Sequence, residues 1–192
     1  MCQNFTTQLW QVLGGNLLLV LCSIFYLIWW CITFKPGAGS TPFGTMCIGI
    51  AFVLGMAGIV LSVMGLNANQ MEMPARNIPG WIIVVCGLVI YFVLLFLTGI
   101  LLHRQVTSEL LIITGWAVLE LCIVNFLYGA GRFPLGITVF LLVLIILAAI
   151  ASMICYLLYY NLPAYPGYVD GMIPLITVAA SMMVVNLILM LK

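Results

Sequence analysis

Six separate runs of apolar residues, each long enough to cross a lipid bilayer, follow one another along this chain. The hydrocarbon layer is about 30 Å thick and an α-helix rises about 1.5 Å per residue, so about 20 residues suffice for one crossing. The runs fall at 9–34, 43–66, 79–102, 107–128, 135–160 and 171–191, with Gly, Pro and Asn at most of the joints. Each run is continuously apolar rather than alternating, which selects helices over the roughly ten-residue strands of a membrane barrel. The expected fold is all-α: a polytopic membrane protein forming a bundle of six transmembrane helices in a single integral membrane domain. The longest connection, 67–78, is too short for an extramembrane domain, so any chemistry belongs inside the bilayer or at its edge.

Charge agrees with this. Charged residues make up 5% of the 192 and hydrophobic residues 66%, against about 25% and 45–50% in soluble domains. Soluble enzymes are excluded, and the lipid bilayer is the first expected partner. Five bases (Lys35, Arg76, Arg104, Arg132, Lys192) nearly balance four acids (Glu72, Glu109, Glu120, Asp170). No basic patch is left to hold a nucleic-acid backbone.

Six spans put both termini on one side, here side A. Arg76, Arg132 and Lys192 belong to that side, and Lys35 and Arg104 to the opposite side B. The excess of bases places side A, with both termini, in the cytoplasm beneath a cell membrane, plasma or inner. Trp10, Trp81, Tyr128 and Phe133 mark side A; Trp29, Trp30, Tyr156, Tyr159, Tyr160, Tyr165 and Tyr168 mark side B. The Tyr-rich stretch 156–168 reads as an interfacial belt joined to a loop stiffened by proline.

The two halves share short motifs. GAGSTPFG from residue 37 resembles GAGRFPLG from residue 129, and Ile78-Pro79 has a counterpart in Ile173-Pro174. Three spans per half would give the halves opposite orientations, so the pattern allows a 3+3 inverted repeat, a common plan for carriers with a central site. Gly and Pro also recur at turns for local reasons.

An ionisable group at mid-helix costs about 2.5–3.5 kcal/mol on insertion scales. Glu120 is the one such group deep in a run, about 4 Å past the middle of the fourth toward side A. Asn16 and Asn186 fall about 8 Å, and Ser62 and Asn125 about 11 Å, toward that same side. Trp116 is one helical turn before Glu120, on its face. Together these residues suggest a polar vestibule opening from side A and ending at Glu120, lined by Asn16, Asn125 and Asn186, with Trp116 as a wall. Hydrogen bonding between helices is the plainer use of the Asn side chains. His103, Arg104 and Glu109 flank one joint on side B, where they could form a gate; favourable placement against helix dipoles explains them as well.

In the second run, Gly44, Ala51, Gly55, Gly58, Ser62 and Gly65 form a seam of small residues that permits close helix approach. Packing within the chain is its first use, and a contact with an identical subunit its second. Seven cysteines form no Cys-x-x-Cys pair, and one histidine cannot build a His-rich site, so neither a metal nor a cofactor is expected. The usual hydrolase and ATPase motifs are missing. The functional expectation is a small-solute transporter or channel, coupled to a proton or cation through a buried carboxyl. The alternatives are a non-catalytic membrane subunit or assembly partner, and an intramembrane enzyme using Glu120, Glu109 and His103 on a lipid-like substrate.

Overall fold

The computed structural model describes residues 2–37, 39, 41–67, 78–102 and 108–191. Among these, all regular structure is helical: α1 (Cys2–Thr33), α2 (Pro42–Asn67), α3 (Gly80–Leu102), α4 (Ser108–Gly129), α5 (Leu135–Tyr159), α6 (Ala164–Asp170) and α7 (Met172–Met190). Six helical stretches have the length and apolar composition to cross a membrane, α6 and α7 counting together as Ala164–Met190. The chain thus has the make-up of a multi-pass membrane protein.

Four of the six expected runs match their helices to within a residue; α1 begins at Cys2 instead of 9 and the sixth stretch at Ala164 instead of 171. The early start has a physical cause. Pro163 precedes the first helical residue and Pro166 lies in the first turn, where backbone N–H groups have no intrahelical acceptor, so both prolines are tolerated. Further along, Pro174 has no N–H to give the carbonyl of Asp170, and the helix is interrupted at Gly171 between α6 and α7.

Contacts group the residues into two compact units, one comprising Met1–Asn69 and Ile150–Lys192, the other Gln70–Ala149. The boundaries of this division lie at 69/70 and 149/150. The turns differ in detail: the left-handed glycine is Gly37 (φ 84°) in one and Gly131 (φ 72°) in the other, the first and second glycines of their respective motifs.

In the first unit, α1 packs along α2 and along α7. The α1–α2 contact is the tightest. A Cβ placed on Gly58 would stand 2.9 Å from the Gly15 carbonyl oxygen and 2.9 Å from Leu19 Cγ; one on Gly65 would stand 3.1 Å from both the Gln8 carbonyl oxygen and the Val12 amide. Gly55 faces Cys22, and Gly44 faces Thr33. The small-residue seam of α2 is therefore occupied by α1 of the same chain, and the order of these contacts makes the pair antiparallel. In the second unit α3 packs on α4 through Gly87 and Val118.

Candidate functional site

The first unit brings Asn16, Ser62 and Asn186 to one level. At the far end of α1, the Trp30 indole N–H donates to the Tyr168 carbonyl at 3.0 Å, and its ring lies against Gly171, where a Cβ would stand 2.7 Å from Cε2. Phe34 stacks on the same ring at 4.3 Å, and Tyr159 meets it edge-on at 5.8 Å. This clamp fixes the end of α1 against the beginning of α7, so the two helices run antiparallel. From the clamp, Asn16 is about 21 Å back along α1 and Asn186 about 22 Å forward along α7, from about 1.5 Å per residue. Ser62 crosses α1 at Gly15, next to Asn16.

All three are buried, Asn16 to 1%, Ser62 to 0% and Asn186 to 2% exposure. Neither Oδ1 nor Nδ2 of Asn186 has a hydrogen-bond partner, and neither does Ser62 Oγ. A buried polar group left unsatisfied costs about 1–3 kcal/mol. The buried polar side chains of α1, α2 and α7 (Gln8, Asn16, Ser62, Ser181 and Asn186) carry no charge.

The second unit holds Glu120, Trp116 and Asn125, all on α4. Glu120 is wholly buried. Helix α4 runs from Ser108 to Gly129, so Glu120 lies about 2 Å past its middle. Glu120 has an interaction partner within the protein. One turn earlier the indole N–H of Trp116 is buried with no acceptor. Asn125 is committed to structure: its Nδ2 donates to the Ile78 carbonyl at 2.7 Å, tying α4 to the residues that lead into α3.

His103 and Arg104 lie outside the described residues, as does the side chain of Glu109, whose backbone is in the first turn of α4. The gate they would form therefore lies there too. No cluster of three or more metal-ligating side chains occurs among the described residues.

Sequence reasoning missed Asp170. With the sixth run starting at 171, this carboxylate belonged to a solvated loop, yet it is 9% exposed and six residues inside the Ala164–Met190 stretch. The Cys155 thiol of α5 faces it, and its Oδ2 has no hydrogen-bond partner. Allowing a helix to start at Pro163 would have revealed it.

No family model matches this chain, and no match emerges among curated proteins or solved structures.

Proposed function

We propose that this protein passes a small solute or ion across a membrane, with Glu120 as the group that takes up a proton or cation during passage. The complete burial of Glu120 at the middle of an apolar helix carries this reading. A carboxyl is expensive in that position, and function is the common reason for keeping one there. Trp116 adds a second polar atom, a buried indole N–H one turn away on the same face. It suits an acceptor group on whatever approaches the carboxyl.

In this reading the membrane is the cell membrane, both termini are cytoplasmic, and the paired GAG motifs are relics of an inverted repeat. The assembly-partner alternative drew on the seam of α2, which α1 of the same chain already fills. The enzyme alternative needs His103 and Glu109 beside Glu120 and has no observation in its favour.

The test is flux into proteoliposomes across a pH gradient. Glu120→Gln keeps the shape and removes the charge, so pH-dependent flux is expected to disappear while the protein stays folded. Undiminished flux in the variant would remove Glu120 from the mechanism.

A further inference from the structure

We infer that the level of Asn16, Ser62 and Asn186 is a binding place for a small uncharged solute carrying both hydrogen-bond donors and acceptors. This rests on the reading of the protein as a solute pathway, and it names the class of solute.

Asn186 is the starting point. A carboxamide offers two N–H donors and a carbonyl acceptor, and here both heavy atoms are enclosed with nothing bonded to them. In hydrocarbon the polar side chains of membrane helices normally find partners on neighbouring helices. Asn186 does not, although α7 packs along α1. Ser62 repeats the pattern on α2, with its buried hydroxyl also unbonded. Asn186 of α7 and Ser62 of α2, two helices that both pack on α1, thus each offer an unbonded polar group to an outside molecule.

The chemistry of that molecule follows from the groups present. A charged ligand would have to leave water for a level where every buried polar side chain of α1, α2 and α7 is neutral, which is unfavourable without a counter-charge. A purely apolar ligand would leave the amide unsatisfied. A molecule with hydroxyl or amide groups satisfies donor and acceptor together. The aromatic clamp at the other end of α1 is no competitor for an organic cation, because Phe34 and Gly171 already occupy Trp30.

The experiment uses the full chain in proteoliposomes, with glycerol as the neutral probe and choline as the charged control, followed by stopped-flow light scattering. Wild-type vesicles should reswell in glycerol several-fold faster than empty vesicles and show no gain with choline. Asn186→Leu should return the glycerol rate to that of empty vesicles. In detergent the same variant should melt higher, by about 2–4 °C, because an unsatisfied amide is replaced by an apolar side chain of similar size. Ser62→Ala, a one-atom deletion, should slow glycerol measurably and supplies the answer if Asn186→Leu does not fold. A lower melting temperature for Asn186→Leu would mark the amide as a helix-to-helix bond and overturn the inference. An unchanged glycerol rate in both variants, or a wild-type rate equal to that of empty vesicles, would also overturn it. Glu120→Gln is scored separately on pH-dependent flux, so loss of the neutral-solute site leaves the Glu120 reading to stand or fall alone.

Discussion

Gly15→Ala and Gly14→Ala make the same chemical change one residue apart on α1, and the structure assigns them opposite consequences. A Cβ on Gly15 would stand 2.7 Å from the Ser62 amide nitrogen and 2.8 Å from the Gly58 carbonyl oxygen, besides meeting Ser62 Oγ; around Gly14 there is nothing within 4 Å. Ordinary contact begins at 3.4 Å. Two of the three obstacles are backbone, so no rotamer change relieves them and α1 must retreat from α2 by about 0.7 Å locally. A gap of about 0.5–1 Å forfeits a quarter to a half of each dispersion contact it opens, and overpacking of this kind typically costs about 1–3 kcal/mol. Both variants gain up to about 1 kcal/mol of helix propensity. That gain cancels between them, so Gly15→Ala should be less stable than Gly14→Ala by about 1–3 kcal/mol. Reversible unfolding by sodium dodecyl sulfate in mixed micelles, followed by far-UV circular dichroism, measures the difference. Adding Ser62→Ala to Gly15→Ala should recover only part of it, because the backbone obstacles stay. Equal stability of the two single variants would refute the close α1–α2 approach.

Three further outcomes follow from other contacts. Gly87→Ala meets a single methyl, Cγ2 of Val118, whose other side-chain atoms stand 3.5 Å or more away; Val118→Ala should rescue it, with a coupling of about 1 kcal/mol in a double-mutant cycle, and additive effects would contradict this. Gly171→Ala should push the Trp30 ring out of place, seen as a shifted emission maximum in a variant retaining Trp30 as its sole tryptophan; an unmoved spectrum would refute the clamp. Asn125→Leu loses the bond to the Ile78 carbonyl and should destabilise by about 0.5–1.5 kcal/mol in the same unfolding assay, whereas a more stable protein would show that the bond is not needed.

The helices were legible because their signal, an unbroken apolar run, is the property the bilayer demands. Which helices are neighbours was not legible. A soluble helix shows its buried face as an apolar stripe, but the apolar residues of α2 and α7 are spread all round the helix, and lipid is as apolar as a helix partner. Only the small residues of α2 gave direction, and they do meet α1. Asn16, Ser62 and Asn186, placed at similar depths by rise per residue, all belong to the first unit. Glu120 and Asn125, grouped with them by depth alone, belong to the other compact unit. Asp170 was lost to the reading of Pro163 and Pro166 as loop residues.

The first unit is drawn from both ends of the sequence, Met1–Asn69 and Ile150–Lys192, and this sets a timetable for biosynthesis. The α1–α2 hairpin leaves the ribosome before its third helix, α7, which must wait until residues 68–171 have been made, about 5–21 s at about 5–20 residues per second. Through that interval the contacts available to α1 from this unit are those with α2, backbone against backbone at the glycines. The level of Asn16 and Ser62 is thus inserted into the membrane as an open half, and the arrival of Asn186 completes it last.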